Sequence, residues 1–310
     1  MRLVFMGTPD FAVPSLQRLA QSDHAVVAVA TRPDAPQGRG RTLAPPPVKR
    51  AAEALGIPVL QPEALSDPRF LDALRACGAD MFVVVAFPIL SGEVLKIPRQ
   101  GSVNLHGSLL PQYRGAAPIQ RAIMAGKTET GLTTFLLTPR MDAGNILMQR
   151  RVEIGPEETA GELADRMKRI GADLLAETVD GLASGALKPV PQPTRGVTKA
   201  PKLAREEGRI DWSQEAGTLR NLIRGTNPEP GAFTLYRGGL LKVHRAVVDA
   251  HAPSGQGSEI VLADAVEGVT VATAEGGLRL TEVQPSGKKR MTGAEWVRGY
   301  RVRVGEMLGV

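Results

Sequence analysis

Asn104 and His106 stand two residues apart, just before a Gly107-Ser108 turn. Alternate side chains of an extended chain point to the same side, so both face one way if the segment is a strand. An amide beside an imidazole suits a carbonyl under nucleophilic attack. The amide donates to the oxygen as it gains negative charge. The imidazole moves a proton or, as imidazolium, stabilises that charge. Asp142 lies in the turn-forming stretch Pro139-Arg-Met-Asp-Ala-Gly-Asn145. A carboxylate brought to His106 would orient the ring and raise its pKa. The same residues also fit a blander reading, with His106 a satisfied structural histidine and Asp142 bonded to its own turn. Spacing alone leaves both open.

The other chemistry-bearing residues exclude more than they offer. Cys77 is the single cysteine and has no electropositive cluster around it of the kind that marks a reactive thiol. His24, His244 and His251 form no metal-ligand spacing with one another or with His106, so no metal is expected. The first turn reads Gly7-Thr-Pro-Asp-Phe-Ala, with Pro9 where a dinucleotide fingerprint needs its second glycine. Thr8 and Asp10 are expected instead to cap the following helix. Arg39, between Gly38 and Gly40 in a long Pro-, Gly- and Arg-rich stretch, suits contact with phosphate or plain solvation equally.

These residues need a scaffold, and the chain supplies an α/β pattern. Apolar runs at 3–6, 25–31, 57–60 and 80–86 read as strands and alternate with helical spacing at 11–21, 48–56 and 67–78. Repeated βαβ units imply a Rossmann-like parallel sheet, whose ligands bind at the carboxyl ends of the strands. His106 ends one such run. Strands follow at 130–137 and 145–154, then a long helix at 157–184. A Pro-rich, charged stretch at 189–208 without periodicity reads as a linker between a domain at 1–188 and one at 209–310. The latter has five short β runs, which fit an OB-fold-like β-barrel. Its closing segment interleaves Lys288, Lys289, Arg290, Arg298, Arg301 and Arg303 with Trp296 and Tyr300. That mixture suits nucleic acid, or else a solvated edge over a core.

Bulk properties agree with a folded protein of the cytoplasm. There are 38 Lys and Arg against 32 Asp and Glu. This excess fits an anionic partner or simple solubility. No apolar run is long enough to span a bilayer, so no membrane association is expected. One cysteine leaves no internal disulfide and fits a reducing, cytoplasmic location.

The run Gly101-Ser-Val-Asn-Leu-His-Gly-Ser-Leu-Leu-Pro-Gln-Tyr-Arg-Gly, with Met141-Asp-Ala-Gly, closely resembles the folate-dependent formyltransferases. Met6-Gly-Thr-Pro-Asp-Phe-Ala, Gly38-Arg-Gly-Arg and Ala200-Pro-Lys-Leu with Ile210-Asp-Trp are similar to the branch whose acceptor is a charged tRNA. The resemblance implies 10-formyltetrahydrofolate as donor substrate and initiator methionyl-tRNA as acceptor, with no stable protein partner. It implies Asn104, His106 and Asp142 as the catalytic set, and Ser108, Leu109, Leu110 and Pro111 as the border of the folate site. It places Arg39 near the tRNA acceptor stem and the C-terminal barrel on the tRNA. This chain departs from the family's common Asn-Pro-Trp-Pro-Gly-Ala in having Glu229 at the aromatic position. The alternatives are a folate formyltransferase for a small amine, such as glycinamide ribotide or an amino sugar nucleotide, and a non-catalytic RNA-binding barrel protein.

Overall fold

The structure, a computed structural model, describes residues 1–37, 42–253 and 255–309. Arg39 lies outside the described residues. The chain forms two compact units. One comprises Met1–Ala116, Glu129–Glu153 and Ala164–Ala200, the other Ala117–Thr128, Ile154–Leu163 and Pro201–Val310.

In chain order, the strands up to residue 153 are β1 (Arg2–Gly7), β2 (Ala25–Ala30), β3 (Ala35–Gln37), β4 (Thr42–Ala44), β5 (Val59–Leu60), β6 (Met81–Val85), β7 (Ser102–His106), β8 (Glu129–Leu136) and β9 (Ile146–Glu153). Helices α1 (Val13–Ala20), α2 (Pro47–Ala54), α3 (Pro68–Ala76), α4 (Gly92–Leu95), α5 (Pro118–Met124) and α6 (Ala160–Ala183) accompany them. Seven strands form one sheet in the order β5-β2-β1-β6-β7-β8-β9. The chain runs from β1 outward to β2 and β5, then returns to β6 on the other side of β1. The sheet is parallel from β5 to β7, but β8 and β9 are antiparallel. The expected Rossmann-like parallel sheet thus carries an antiparallel pair at this edge. The five residues of β6, Met-Phe-Val-Val-Val, are all buried, as expected of a strand covered on both faces. Phe82 and Val84 pack with Val4, Met6, Leu71 and Leu74 on one side of the sheet.

One local expectation is corrected. Neither Thr8 nor Asp10 caps a helix: the turn at Asp10–Ala12 and α1 have no side-chain cap. Asp10 instead accepts from Lys168 of α6. The Pro- and Gly-rich stretch after β2 contains the antiparallel pair β3–β4, in which Ala35 faces Ala44 and Gln37 faces Thr42.

The second unit holds α7 (Ala216–Thr226), strands β10 (Ala232–Tyr236), β11 (Gly239–Asp249), β12 (Ile260–Asp264), β13 (Gly268–Ala272), β14 (Gly277–Pro285) and β15 (Met291–Thr292), and α8 (Gly293–Tyr300). Its antiparallel sheet runs β10-β11-β14-β13-β12, with β15 on β14. The C-terminal segment bridges the two edges. Leu308 pairs with Tyr236 at the end of β10, and Met307 pairs with Glu259 before β12. These bridges link the C-terminal segment to both edges of the six-stranded sheet, as a barrel-like arrangement requires.

The closing segment is helical, which the sequence reading missed. Thr292 and Glu295 form a capping box that starts α8. Trp296 is fully buried against Tyr236, so it is a core residue and not a nucleic-acid contact. The basic residues divide. Arg290 pairs with Glu282, and Arg298 donates to the Ala265 carbonyl. Lys288, Lys289, Arg301 and Arg303 are exposed and have no acidic partner among the described residues.

Candidate active site

The last residue of β7 is His106, and β7 alternates its side chains as a strand must. Leu105 packs on Gly171 of α6. Asn104 and His106 therefore point to the opposite face. Each is paired across to β8, Asn104 with Phe135 and His106 with Thr133. The Phe135 ring meets the His106 imidazole edge-on, with centroids 6.4 Å apart. The expectation that the amide and imidazole share one side thus follows from the local period of two.

His106 is almost wholly buried, and its two nitrogens have different surroundings. Nε2 lies 2.9 Å from the Tyr113 carbonyl oxygen. A carbonyl only accepts, so Nε2 carries the hydrogen and the neutral ring presents its lone pair at Nδ1. Nδ1 faces Asp142 Oδ2 at 3.9 Å, too far for a direct hydrogen bond. Burial pushes the His106 pKa below its ordinary value, against the opposing pull of Asp142 and the Tyr113 carbonyl. Asp142 acts in the anticipated direction, but desolvation wins.

Asp142 reaches this position from a loop with left-handed backbone, φ +48°. Its Oδ2 accepts from the Gly115 N–H at 2.8 Å. Gly115 has φ +128°, and a Cβ there would lie 2.4 Å from the Ala200 carbonyl oxygen, so only glycine fits. The side-chain amide of Asn104, half-buried, has no hydrogen-bond partner among the described residues. It is a donor left free beside the imidazole.

The run Ser108 to Pro111 follows directly. Thr133 Oγ1 donates to the Ser108 carbonyl (2.7 Å) and accepts from Leu110 N–H (3.0 Å). Gln149 of β9, opposite Thr133, donates to the Leu110 carbonyl at 2.9 Å. These side chains seat the turn. The Ser108 hydroxyl is buried and donates to the Gln112 carbonyl at 2.6 Å, so it is committed inside the turn. Leu110 is buried, whereas Leu109 and Pro111 are half-buried. The sequence reading missed Tyr113, Gly115, Thr133 and Gln149. The period of β8 and β9 puts Thr133 and Gln149 on one row with His106, but only the strand pairing reveals that row.

Among the described residues, no group of three or more His, Cys, Asp or Glu could hold a metal ion. No described helix is long and apolar enough to cross a membrane.

Comparison with known proteins agrees over the whole chain. The formyl transferase family model matches residues 1–179, and the formyl transferase C-terminal domain model matches 202–301. A methionyl-tRNA formyltransferase of Moorella thermoacetica is 48% identical over 310 residues, covering 100% of this chain and 99% of its own. One from Thermobifida fusca is 48% identical over 313 residues, with 100% and 99% covered. Two solved structures share the fold. HypX from Aquifex aeolicus in complex with tetrahydrofolic acid has TM-score 0.68 at 18% identity, covering 99% of this chain and 48% of that one. The sugar 3N-formyl transferase WlaRD has TM-score 0.68 at 17% identity, covering 93% and 99%. With full-length relatives at this identity and family models over both ends, the chain belongs to the formyl transferase family.

Proposed function

We propose that this chain transfers a formyl group from 10-formyltetrahydrofolate to the α-amino group of initiator methionyl-tRNA, at the start of protein synthesis. The observation that carries the chemistry is the free Asn104 amide beside the His106 lone pair. A carbonyl lodged there meets a hydrogen-bond donor and a proton acceptor together.

In this reading each residue has a distinct role. His106 Nδ1 takes the proton that the methionyl amine sheds as its nitrogen attacks the formyl carbon. Asn104 donates to the formyl oxygen as it becomes an oxyanion. Asp142 faces the imidazolium so formed and stabilises it. The imidazolium then returns the proton to N10 of the folate as the C–N10 bond breaks. Ser108 to Pro111 border the folate, with the Ser108 hydroxyl shaping the turn from within.

In this reading residues 1–188 carry catalysis and 209–310 bind the tRNA; of the stretch 189–208 between them, the part up to Ala200 belongs to the first compact unit. The unpaired Lys288, Lys289, Arg301 and Arg303 support a polyanionic acceptor. The reaction suits the cytoplasm and calls for no stable protein partner. Incubation with 10-formyltetrahydrofolate and methionyl initiator tRNA should yield formylmethionyl-tRNA. Formylation of a small amine instead, or RNA binding without turnover, would overturn the assignment.

Arg39 is proposed to contact the phosphates of the acceptor stem. Arg39→Ala should raise the KM for tRNA roughly tenfold, the scale of one hydrogen bond to a charged group. The KM for the folate should stay within about twofold, and a matching rise in both would count against this role.

A further inference from the structure

We propose that Gln192 is a positioning residue for formyl transfer, holding the Asp142 turn in the conformation that aims its carboxylate at His106. This rests on the reading above.

Asp142 has the left-handed backbone, φ +48°, that non-glycine residues avoid. Such a conformation persists only where its surroundings hold it. Gln192 supplies that hold. Its Nε2 donates to the Asp142 carbonyl at 2.9 Å and to the Gly144 carbonyl at 2.7 Å, bracketing the turn. Its Oε1 accepts from Arg114 Nη2 at 2.6 Å. A guanidinium only donates and carbonyls only accept, so these partners admit one orientation of the amide. Pro191 and Pro193 flank Gln192, which stiffens the backbone carrying it.

The same segment also grips the other half of the pair. Tyr113 N–H donates to Thr198 Oγ1 at 2.8 Å, Arg114 N–H donates to the Thr198 carbonyl, and Ala200 N–H donates to the Arg114 carbonyl. Tyr113 in turn accepts from His106 through its carbonyl. One aperiodic segment thus sets the separation of His106 and Asp142 from both sides. Gln192 touches neither reacting group, and it acts through Asp142.

Two variants separate this role from plain packing. Gln192→Met keeps length and bulk but loses every hydrogen bond. Gln192→Glu keeps the acceptor for Arg114 but sets a carboxylate oxygen against two carbonyls. If the donated bonds matter, both should lose about tenfold or more in kcat, with the folate KM within about twofold and the thermal midpoint near that of the parent. Amide hydrogen exchange at Gly115, whose N–H bonds Asp142, should quicken about tenfold in Gln192→Met, and this readout needs no substrate. Parental kcat in Gln192→Glu, or in Gln192→Met if the former does not fold, would overturn the proposal. So would unchanged Gly115 exchange. Failure of the unsubstituted chain to formylate methionyl-tRNA would defeat the functional reading instead, and Gly115 exchange would still decide the positioning role.

Discussion

Asn104→Ala should lower kcat for formyl transfer by about 100- to 1,000-fold, the usual consequence of deleting one oxyanion donor. That is roughly 2.7–4 kcal/mol of transition-state stabilisation, since each tenfold is about 1.36 kcal/mol. The loss should fall on kcat with little change in KM, because the bond strengthens only as charge develops on the oxygen. The Asn104 amide has no partner among the described residues, so its removal breaks no structural bond. Stability should change by less than about 1 kcal/mol, within the range of ordinary substitutions. His106→Ala should cost a similar factor through loss of the proton acceptor. Single-turnover rates with methionyl-tRNA and a thermal melt of each variant measure both halves of this expectation. Turnover within threefold of the parent would remove the residue concerned from the mechanism.

The second large effect is at Asp142, where charge and position can be separated. Asp142→Ala removes both the acceptor for Gly115 N–H and the charge facing His106. Turnover should fall about 100-fold or more, as for a missing member of a catalytic set. Asp142→Asn keeps an oxygen for Gly115 but loses the charge. Asp142 pulls the His106 pKa upward, while burial pulls it down by more. Without the carboxylate, the His106 pKa falls further. The proposed mechanism needs neutral His106, so activity drops on the acid side as the ring protonates. In Asp142→Asn that acid limb of kcat/KM should move to lower pH, while the plateau falls because the imidazolium is no longer stabilised. Stability has a matching sign. The unfolded chain protonates this histidine near pH 6.5, whereas the buried ring resists. His106 therefore costs stability as the pH falls from about 6.5 through its depressed folded value, and Asp142→Asn should enlarge that cost. A limb that stays in place would exclude an electrostatic role for Asp142.

Much of this site was visible in local pattern. The period of two sends Asn104 and His106 to one face whatever surrounds them, and the strand pattern around β6 places them at the carboxyl end of an open sheet. The βαβ alternation and the five β runs near the C-terminus likewise depend on residue type over short windows. Motif order carried the family, because Asn-Leu-His, Ser-Leu-Leu-Pro and Met-Asp-Ala-Gly each need only a few adjacent residues.

Other features depend on distant parts of the chain. Trp296 looked like a base-stacking residue among arginines, yet the capping box of α8 turns it inward against Tyr236. The antiparallel direction of β8 and β9 comes from their pairing, not from composition. So does the row of His106, Thr133 and Gln149 that seats the Ser108 to Pro111 turn. Gln192 lies in a stretch with no period at all, and only its partners identify it.

The sequence by itself determined which residue types form the proposed catalytic trio, the shared side of Asn104 and His106, and the two-part α/β and β architecture. Tertiary structure alone decided that Asp142 comes to face His106, that Gly115 N–H and Gln192 bond the Asp142 turn, and that burial depresses the His106 pKa. The physical reason is that side-chain direction is set by backbone period, which is local. Distance between strands and loss of water around a ring arise only when remote segments pack together.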